Sequence, residues 1–338
     1  MKLYGGIDLH ANNSVLVVLD EQERVVYEKR LGNDLDVIVR ALEPYRGELE
    51  GVVVESTFNW YWLVDGLQEG GYRMHLANTT AIQQYSGLKY ADDSSDARWL
   101  AQMLRLGVLP EGYIYPKEER AVRDLLRKRA QLVHQKVTQI LSVQNLFSRN
   151  VGWRPSANAV RQLSFEEVER GLGSLERAQA VKSSLVVMHC LEEEVECLER
   201  EVKARVKLRP AFQWLRTVPG IGIVLALTIM LEAGAIERFA RVGNFASYCR
   251  CVDSQRLSNG KRKGRGNVKN GNRYLAWAFI EAASFAIRYS APIKRYYQRK
   301  AAKTNAIVAR KAVAHKLARA CYYILRDHVP FQVEKAFG

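Results

Sequence analysis

The chain opens with β-rich apolar runs separated by short polar turns. LYGGIDL (3–9), NSVLVVLD (13–20) and RVVYEKRL (24–31) predict three consecutive strands in a meander. DLDVIVRALEPY (34–45) has helical periodicity, and GVVVES (51–56) is short and apolar enough to be a buried strand. WYWLVDGLQEGG (60–71) has helical spacing and stops on a glycine pair, and YRMHLA (72–77) predicts a further strand. SSDARWLAQMLRLG (94–107) begins on Ser/Asp capping residues and closes on Gly107, which bounds a helix at both ends. This first third is α/β.

Beyond it the period changes to that of helices. Residues 117–148 run without Pro or Gly, with Leu125, Leu132, Ile140 and Leu146 at roughly helical intervals. After a break at GWRP (152–155), a second long helix is expected from about Phe165 to Val206. Its Leu191, Val195, Leu198 and Val202 step by the a/d spacing of a coiled coil, and the glutamates between them form a solvated face. LRTVPGIGIVLALTIMLEAG (215–234) reads as two helices joined at Pro219-Gly220-Ile221-Gly222. Two readings of that turn stand: a helix-hairpin-helix whose Gly220 and Gly222 let backbone N–H groups approach phosphate, or a tight turn between core helices. RYLAWAFIEAASFAIRYS (273–290) and ARKAVAHKLARACYYIL (309–325) predict two more helices, the second basic along one face. Three segments follow: 1–115, 116–210 and a compact helical 211–338.

Charge separates these segments. Residues 1–115 hold 10 Lys/Arg against 17 Asp/Glu, residues 116–210 hold 18 against 13, and residues 211–338 hold 23 against 6. The net +15 therefore belongs to the C-terminal third, where a polyanion is the default partner. No apolar run approaches the ~20 residues of a membrane helix, and MKLYGGIDLH carries no secretory pattern. The five cysteines include no CxxC pair, which suits reduced cytosolic thiols rather than a zinc site. The setting expected is a bacterial cytoplasm, at the nucleoid.

The acidic third needs another use for its carboxylates. Asp8 is the one acid in an otherwise apolar strand, and Glu55 ends the apolar strand GVVVES. Asp93 and Asp96 are three apart at the start of a helix and point from one face of its first turn, although Asp92 or Asp96 is also available as the cap. If strand one lies beside the fourth strand and the last helix alongside, the four acids converge. Four carboxylates in one site repel and take up protons unless a cation neutralises them. Mg2+, with Mn2+ as a substitute, suits an oxygen-ligand site that also receives phosphate.

RLSNGKRKGRGNVKNGN (256–272) has no acid, and its Lys261, Arg262, Lys263, Arg265, Lys269 and Arg273 next to it suit phosphate contacts. Ser258 stands at its mouth and is either one more phosphate donor or a nucleophile. Ser254 is the second candidate. Tyr248 and Tyr274 flank the loop, where they either stack on bases or belong to the core.

These motifs resemble the insertion-sequence 110 family of DEDD transposases. YGGIDLH with Asp8, VVVES with Glu55 and Asp93-Ser-Ser-Asp96-Ala97 match its DEDD signature. VPGIG, FASYCRCV, the S-N-G-K loop and KNGNRYLAWAF match its second, transposase-specific domain, in wording closest to the 1111 subgroup. The resemblance covers nearly the whole chain, and it implies more than the residues carry. The N-terminal domain would be RuvC-like, of the ribonuclease H class, joined by a coiled coil to the C-terminal domain. A serine, here Ser258, would attack a DNA phosphate to form a phosphoserine link. The site would be completed by the DEDD residues of another subunit, within a dimer or tetramer. Some members are guided by a noncoding bridge RNA that pairs with donor and target DNA. In several relatives the nucleophile directly precedes the glycine, whereas Asn259 holds that place here. Two other readings stay open: a RuvC-like nuclease that cuts with metal-activated water, and a nucleic-acid-binding scaffold without catalysis.

Overall fold

The computed structural model describes residues 1–82, 92–206, 210–253, 256–264 and 270–338. Their contacts divide the chain into two units, Met1–Lys117 and Glu118–Gly338. Among the described residues no helix is long and apolar enough to cross a membrane.

In the first unit, β1 (Leu3–Leu9), β2 (Asn13–Leu19) and β3 (Val25–Gly32) form the expected antiparallel meander. After α1 (Leu35–Leu42), β4 (Leu49–Glu55) returns parallel to β1. α2 (Tyr61–Glu69) then leads to β5 (Met74–Ala77), parallel to β4, and α3 (Asp93–Arg105) follows. The sheet order is β3-β2-β1-β4-β5, so β1 is central. Both faces are covered, which is why β2 and β4 read as continuous apolar runs rather than alternating ones. Ile7, Leu16, Val18, Val52 and Val54 pack with Ile38, Leu63 and Leu67 of α1 and α2. Val15, Val17 and Leu19 pack with Ala97 and Ala101 of α3, and Val53 with Leu100 and Met103.

Gly6 sets how closely α3 lies on β1. A Cβ there would fall inside the Ala97 carbonyl oxygen and 2.8 Å from the Ala101 backbone nitrogen. Backbone atoms of a helix interior cannot yield as a flexible side chain does. Gly6→Ala is therefore expected to lift the start of α3 and to lower stability by about 1–3 kcal/mol or more. Thermal unfolding against the parent chain checks this, with a shift under 1 °C as the contrary result.

The second unit is helical: α4 (Lys117–Val151), α5 (Ala157–Gln162), α6 (Phe165–Leu172) and α7 (Leu175–Arg205) come first. The single helix expected over 165–206 is broken. Gly173 ends α6 in the left-handed conformation at φ 60°, and Ser174 caps α7. α7 runs antiparallel to α4. Ile140, Val143 and Phe147 share a core with Val181, Leu185 and Met188. Arg129 pairs with Glu199 at 2.8 Å, and Lys136, seven residues later, pairs with Glu192, seven earlier, at 2.9 Å. Val195 and Val202 of the a/d stripe are buried within the chain, so their burial requires no second copy.

The remainder comprises α8 (Pro210–Leu215), α9 (Ile223–Ala233), α10 (Val242–Tyr248), β6 (Arg256–Ser258), β7 (Lys261–Gly264), α11 (Arg273–Tyr289), α12 (Ala291–Lys303), α13 (Ala306–Asp327) and α14 (Val333–Phe337). α11 is central, and its Ala278, Ala282, Ala283 and Ala286 are fully buried. Those small residues admit the turn before α9. Gly220, at φ 88°, abuts the Ala282 carbonyl so closely that no Cβ fits. Gly220 therefore serves packing against α11, while Gly222, the N-cap of α9, faces open space. Glu232, 2 % exposed, ties three helices together. Arg127 of α4 grips it bidentately at 2.6 and 2.8 Å, and Asn272, the N-cap of α11, donates to it at 2.7 Å.

Candidate active site

Strand alternation decides which side chains meet. Residues 6 and 8 of β1, and 53 and 55 of β4, point to the face that α3 covers, while Ile7 and Val54 point to the other. Ile7 pairs with Val54 in parallel register, so Asp8 and Glu55 end neighbouring strands on one face. α3 begins above them. Asp92 caps it in a capping box with Ser95, which leaves Asp93 and Asp96 of the first turn for the site.

The tightest cluster contains a residue that the sequence pattern does not single out. His10 Nε2 lies 3.0 Å from Asp8 Oδ2 and 3.3 Å from Asp93 Oδ2. One ligand atom each from Asp8, His10 and Asp93 falls within 4.8 Å of the others. The His10 carbonyl accepts from the side-chain amides of Asn33 and Asn59, both at 2.9 Å, which fixes the backbone there. Arg30 of the edge strand β3 reaches Asp93 at 2.5 Å. Two more pairs, Arg98–Glu28 and Arg105–Glu23, fasten α3 to the same side of the sheet. Glu55 and Asp96 border an adjoining cleft with Thr79, Ile82, Trp99 and Leu100.

The electrostatics separate Asp93 from the rest. The hydrogen bond from Arg30 holds Asp93 below the usual carboxylate range. Burial pushes Asp8 up, and the charges of Asp93 and Asp96 add to this against the opposing effect of His10. Burial raises Glu55 as well, with Asp8 and Asp96 contributing. Asp96 is raised by burial, then by Asp93 and Asp92. Asp20, also buried, has no such character: it accepts from Gln22 and Arg24 and anchors a turn. A hard divalent cation fits Asp8, Glu55 and Asp96, since oxygen donors crowded enough to favour protonation are relieved by it, and Asp93, held charged by Arg30, adds a further oxygen donor beside them. His10 is a softer donor, better suited to orient the two carboxylates than to bind Mg2+.

Because Asp8 has a raised pKa in the fold, the unfolded chain releases its proton first as pH rises. Stability is then lost from about pH 4 up to the raised folded value, and is lowest above it. Asp8→Asn is therefore expected to raise the melting temperature of metal-free protein at pH 7 but not at pH 3. A lower melting temperature at pH 7 would contradict this.

The second unit presents Ser258 differently from a glycine-rich loop. β6 and β7 form a hairpin in which Ser258 pairs with Lys261 across Asn259 and Gly260. Those two residues have φ 50° and 70°, the positive pair of a type I′ turn that Asn-Gly favours. Ser258 is exposed, and as a directly opposed pair its side chain and that of Lys261 project to one face. Lys263 is also exposed. Ser254, Arg265 and Lys269 lie outside the described residues, as does the side chain of Arg262. Arg273 is exposed at the start of α11 and donates to the Tyr274 hydroxyl at 2.8 Å. The tyrosine rings have partners within the chain: Tyr274 meets Arg127 and Arg273 at 4.6 and 4.8 Å, and Tyr248 meets Arg238 at 4.5 Å. The three nearby thiols Cys249, Cys251 and Cys321 are buried and free.

Comparison with known proteins covers both units. Residues 5–149 match the model of DEDD transposases of the IS110 type, and residues 213–298 match that of the transposase IS116/IS110/IS902 family. The first match holds all four carboxylates, the second the Ser258 hairpin. A transposase for insertion sequence element IS1111A from Coxiella burnetii is 24% identical over 336 residues, 96% of this chain and 87% of that protein. An uncharacterized 43.6 kDa protein of insertion element IS110 from Streptomyces coelicolor is 28% identical over 135 residues, 39% of this chain and 32% of that protein.

Proposed function

Because the chain belongs to the IS110 family of transposases, we propose that it exchanges DNA strands through a covalent Ser258–DNA link, with Asp8, Glu55, Asp93 and Asp96 holding Mg2+. The observation that carries this reading is the crowding of Asp8, Glu55 and Asp96 on one face of the sheet, each raised by burial and by neighbouring acids. Bound Mg2+ would supply charge neutralisation at the attacked phosphate and the leaving oxygen.

The chain's own groups do the rest. His10 holds Asp8 and Asp93 together, and Arg30 holds Asp93 through the same carboxylate oxygen. The hairpin carries the Ser258 hydroxyl clear of the core, and Lys261 on the same face meets the phosphate that it attacks. A bond forms between Ser258 Oγ and phosphorus while a sugar–oxygen bond to that phosphorus breaks. The hydroxyl proton lost is balanced by one taken up on the leaving sugar oxygen. One phosphodiester replaces another, so resealing needs no energy-rich cofactor. Ser258 and the carboxylates stand on different units, which suits a composite site completed by a second copy in a dimer or tetramer. Guidance by a noncoding bridge RNA on donor and target DNA belongs to the same proposal, as does a place at the bacterial nucleoid.

The rival reading is hydrolysis by metal-activated water. Reaction in 18O-labelled water separates them. Serine-mediated exchange leaves the exchanged phosphates unlabelled, and hydrolysis places one 18O on the phosphate at each cut.

A further inference from the structure

The C-terminal end of the second unit holds a groove of about 790 Å3, between α12, α13 and the segment that leads into α14. Its walls are built. The Phe331 backbone N–H donates to Thr217 Oγ1 at 2.8 Å, and Lys316 Nζ donates to the Ala336 carbonyl at 2.7 Å. Phe337 is buried against the Tyr296 ring, centroids 5.4 Å apart, with Lys316 near both rings. The lining is strongly basic. Its one carboxylate, Asp327, is gripped by Arg326 at 2.6 and 2.9 Å. The side chains of Lys300, Arg319 and Lys335 also line it and make no hydrogen bond or ion pair with any described residue. Among these cations stands the Tyr323 ring, 39% exposed, with Arg326 over it at 5.0 Å and Tyr322 edge-on at 5.4 Å.

We propose that this groove binds single-stranded nucleic acid, with Lys300, Arg319 and Lys335 on phosphates and Tyr323 stacked on a base. Uncommitted cations in a fixed groove call for a polyanion. An exposed ring beside them adds a surface for a nucleobase, and a sequence-tolerant strand site combines these two elements. A duplex keeps its bases stacked and offers none to Tyr323. An acidic peptide would use the cations and leave the ring idle. Its lining includes no residue of the Ser258 hairpin and none of the four carboxylates, and it rests on the reading of the chain as a nucleic-acid-handling protein only for the choice of polyanion.

The test is fluorescence anisotropy with the full chain and labelled 20-nucleotide single-stranded DNA, single-stranded RNA and duplex DNA of one sequence. It is run without divalent metal, so the outcome does not depend on whether Ser258 forms a link. Lys300→Gln, Arg319→Gln and Lys335→Gln combined should weaken at least one single strand about tenfold or more and lower its salt slope by about 0.7 for each phosphate-binding cation removed. Whether the DNA or the RNA strand is weakened identifies the occupant. Tyr323→Ala should cost roughly fivefold or more, and Tyr323→Phe should restore binding. A charge-matched control on the same helix as Lys300, Lys294→Gln, Arg295→Gln and Arg299→Gln, should cost less than about threefold. Circular dichroism confirms that each variant is folded. Unchanged single-strand binding, an equal loss in the control or on the duplex, or a Tyr323→Ala variant that binds as the parent does, would each overturn the proposal.

Discussion

Replacing Ser258 by alanine should abolish covalent attachment and strand exchange, a loss of about 10³-fold or more, while DNA binding stays within about threefold of the parent. The size of the effect would come from removing the atom proposed to bond to phosphorus. The selectivity comes from the hairpin. Ser258 is exposed, and the turn depends on backbone pairing with Lys261 and on the positive φ of Asn259 and Gly260, not on the hydroxyl. Asn259→Gly keeps that conformation and should retain exchange. Asparagine suits the position before Gly260 because it tolerates the left-handed region better than other non-glycine residues. A Ser258→Ala protein that still joined strands would move the nucleophile elsewhere, with Ser254 the next candidate.

Asp8→Asn or Glu55→Gln should remove cleavage to a similar extent, about 10³-fold or more, although both belong to the first unit and the Ser258 hairpin to the second. Both lie near the ends of neighbouring strands beneath α3, where a bound cation would offset their mutual repulsion. Mg2+ should therefore raise the melting temperature of the parent protein and have little effect on Asp8→Asn. Mn2+ should substitute in both measurements. Because Asp8→Asn also relieves a strained charge, its metal-free form should be the more stable one at pH 7, so lost activity cannot be put down to unfolding. Cleavage that persisted in Asp8→Asn with Mg2+ present would dissociate the carboxylates from the chemistry.

The parts of this picture that sequence reveals are those set by local pattern. The strands of the first unit stand out because their apolar runs are short and turn-bounded, and Asp8 and Glu55 stand out as lone acids at the ends of such runs. Parallel pairing of β1 with β4 follows from a meander and one crossover. His10 and Arg30 are not legible in that way. Arg30 depends on β3 and α3 meeting across 63 residues of chain, and His10 on α3 bringing Asp93 to the end of β1, which no spacing encodes. The hairpin at Ser258 has a local signal, because Asn259-Gly260 favours a tight turn, but the charges around it make the stretch look like an open phosphate-binding loop. Gly220 shows the opposite limit. A Gly-x-Gly turn looks alike whether it faces phosphate or a helix, and only the proximity of Ala282 reveals that α11 occupies that side. The heptad stripe of α7 is similar, because its period predicts a partner but not that α4 of the same chain supplies it.

The most direct measurement is recovery of a protein–DNA adduct. The parent protein is incubated with Mg2+ and a nicked substrate that cannot be resealed, digested, and sequenced by mass spectrometry. A nucleotide mass is expected on the peptide that contains Ser258, dependent on Mg2+, and absent from Ser258→Ala and Asp8→Asn. Cleaved DNA with no nucleotide-bearing peptide, or a nucleotide mass mapped to any other residue, would contradict it.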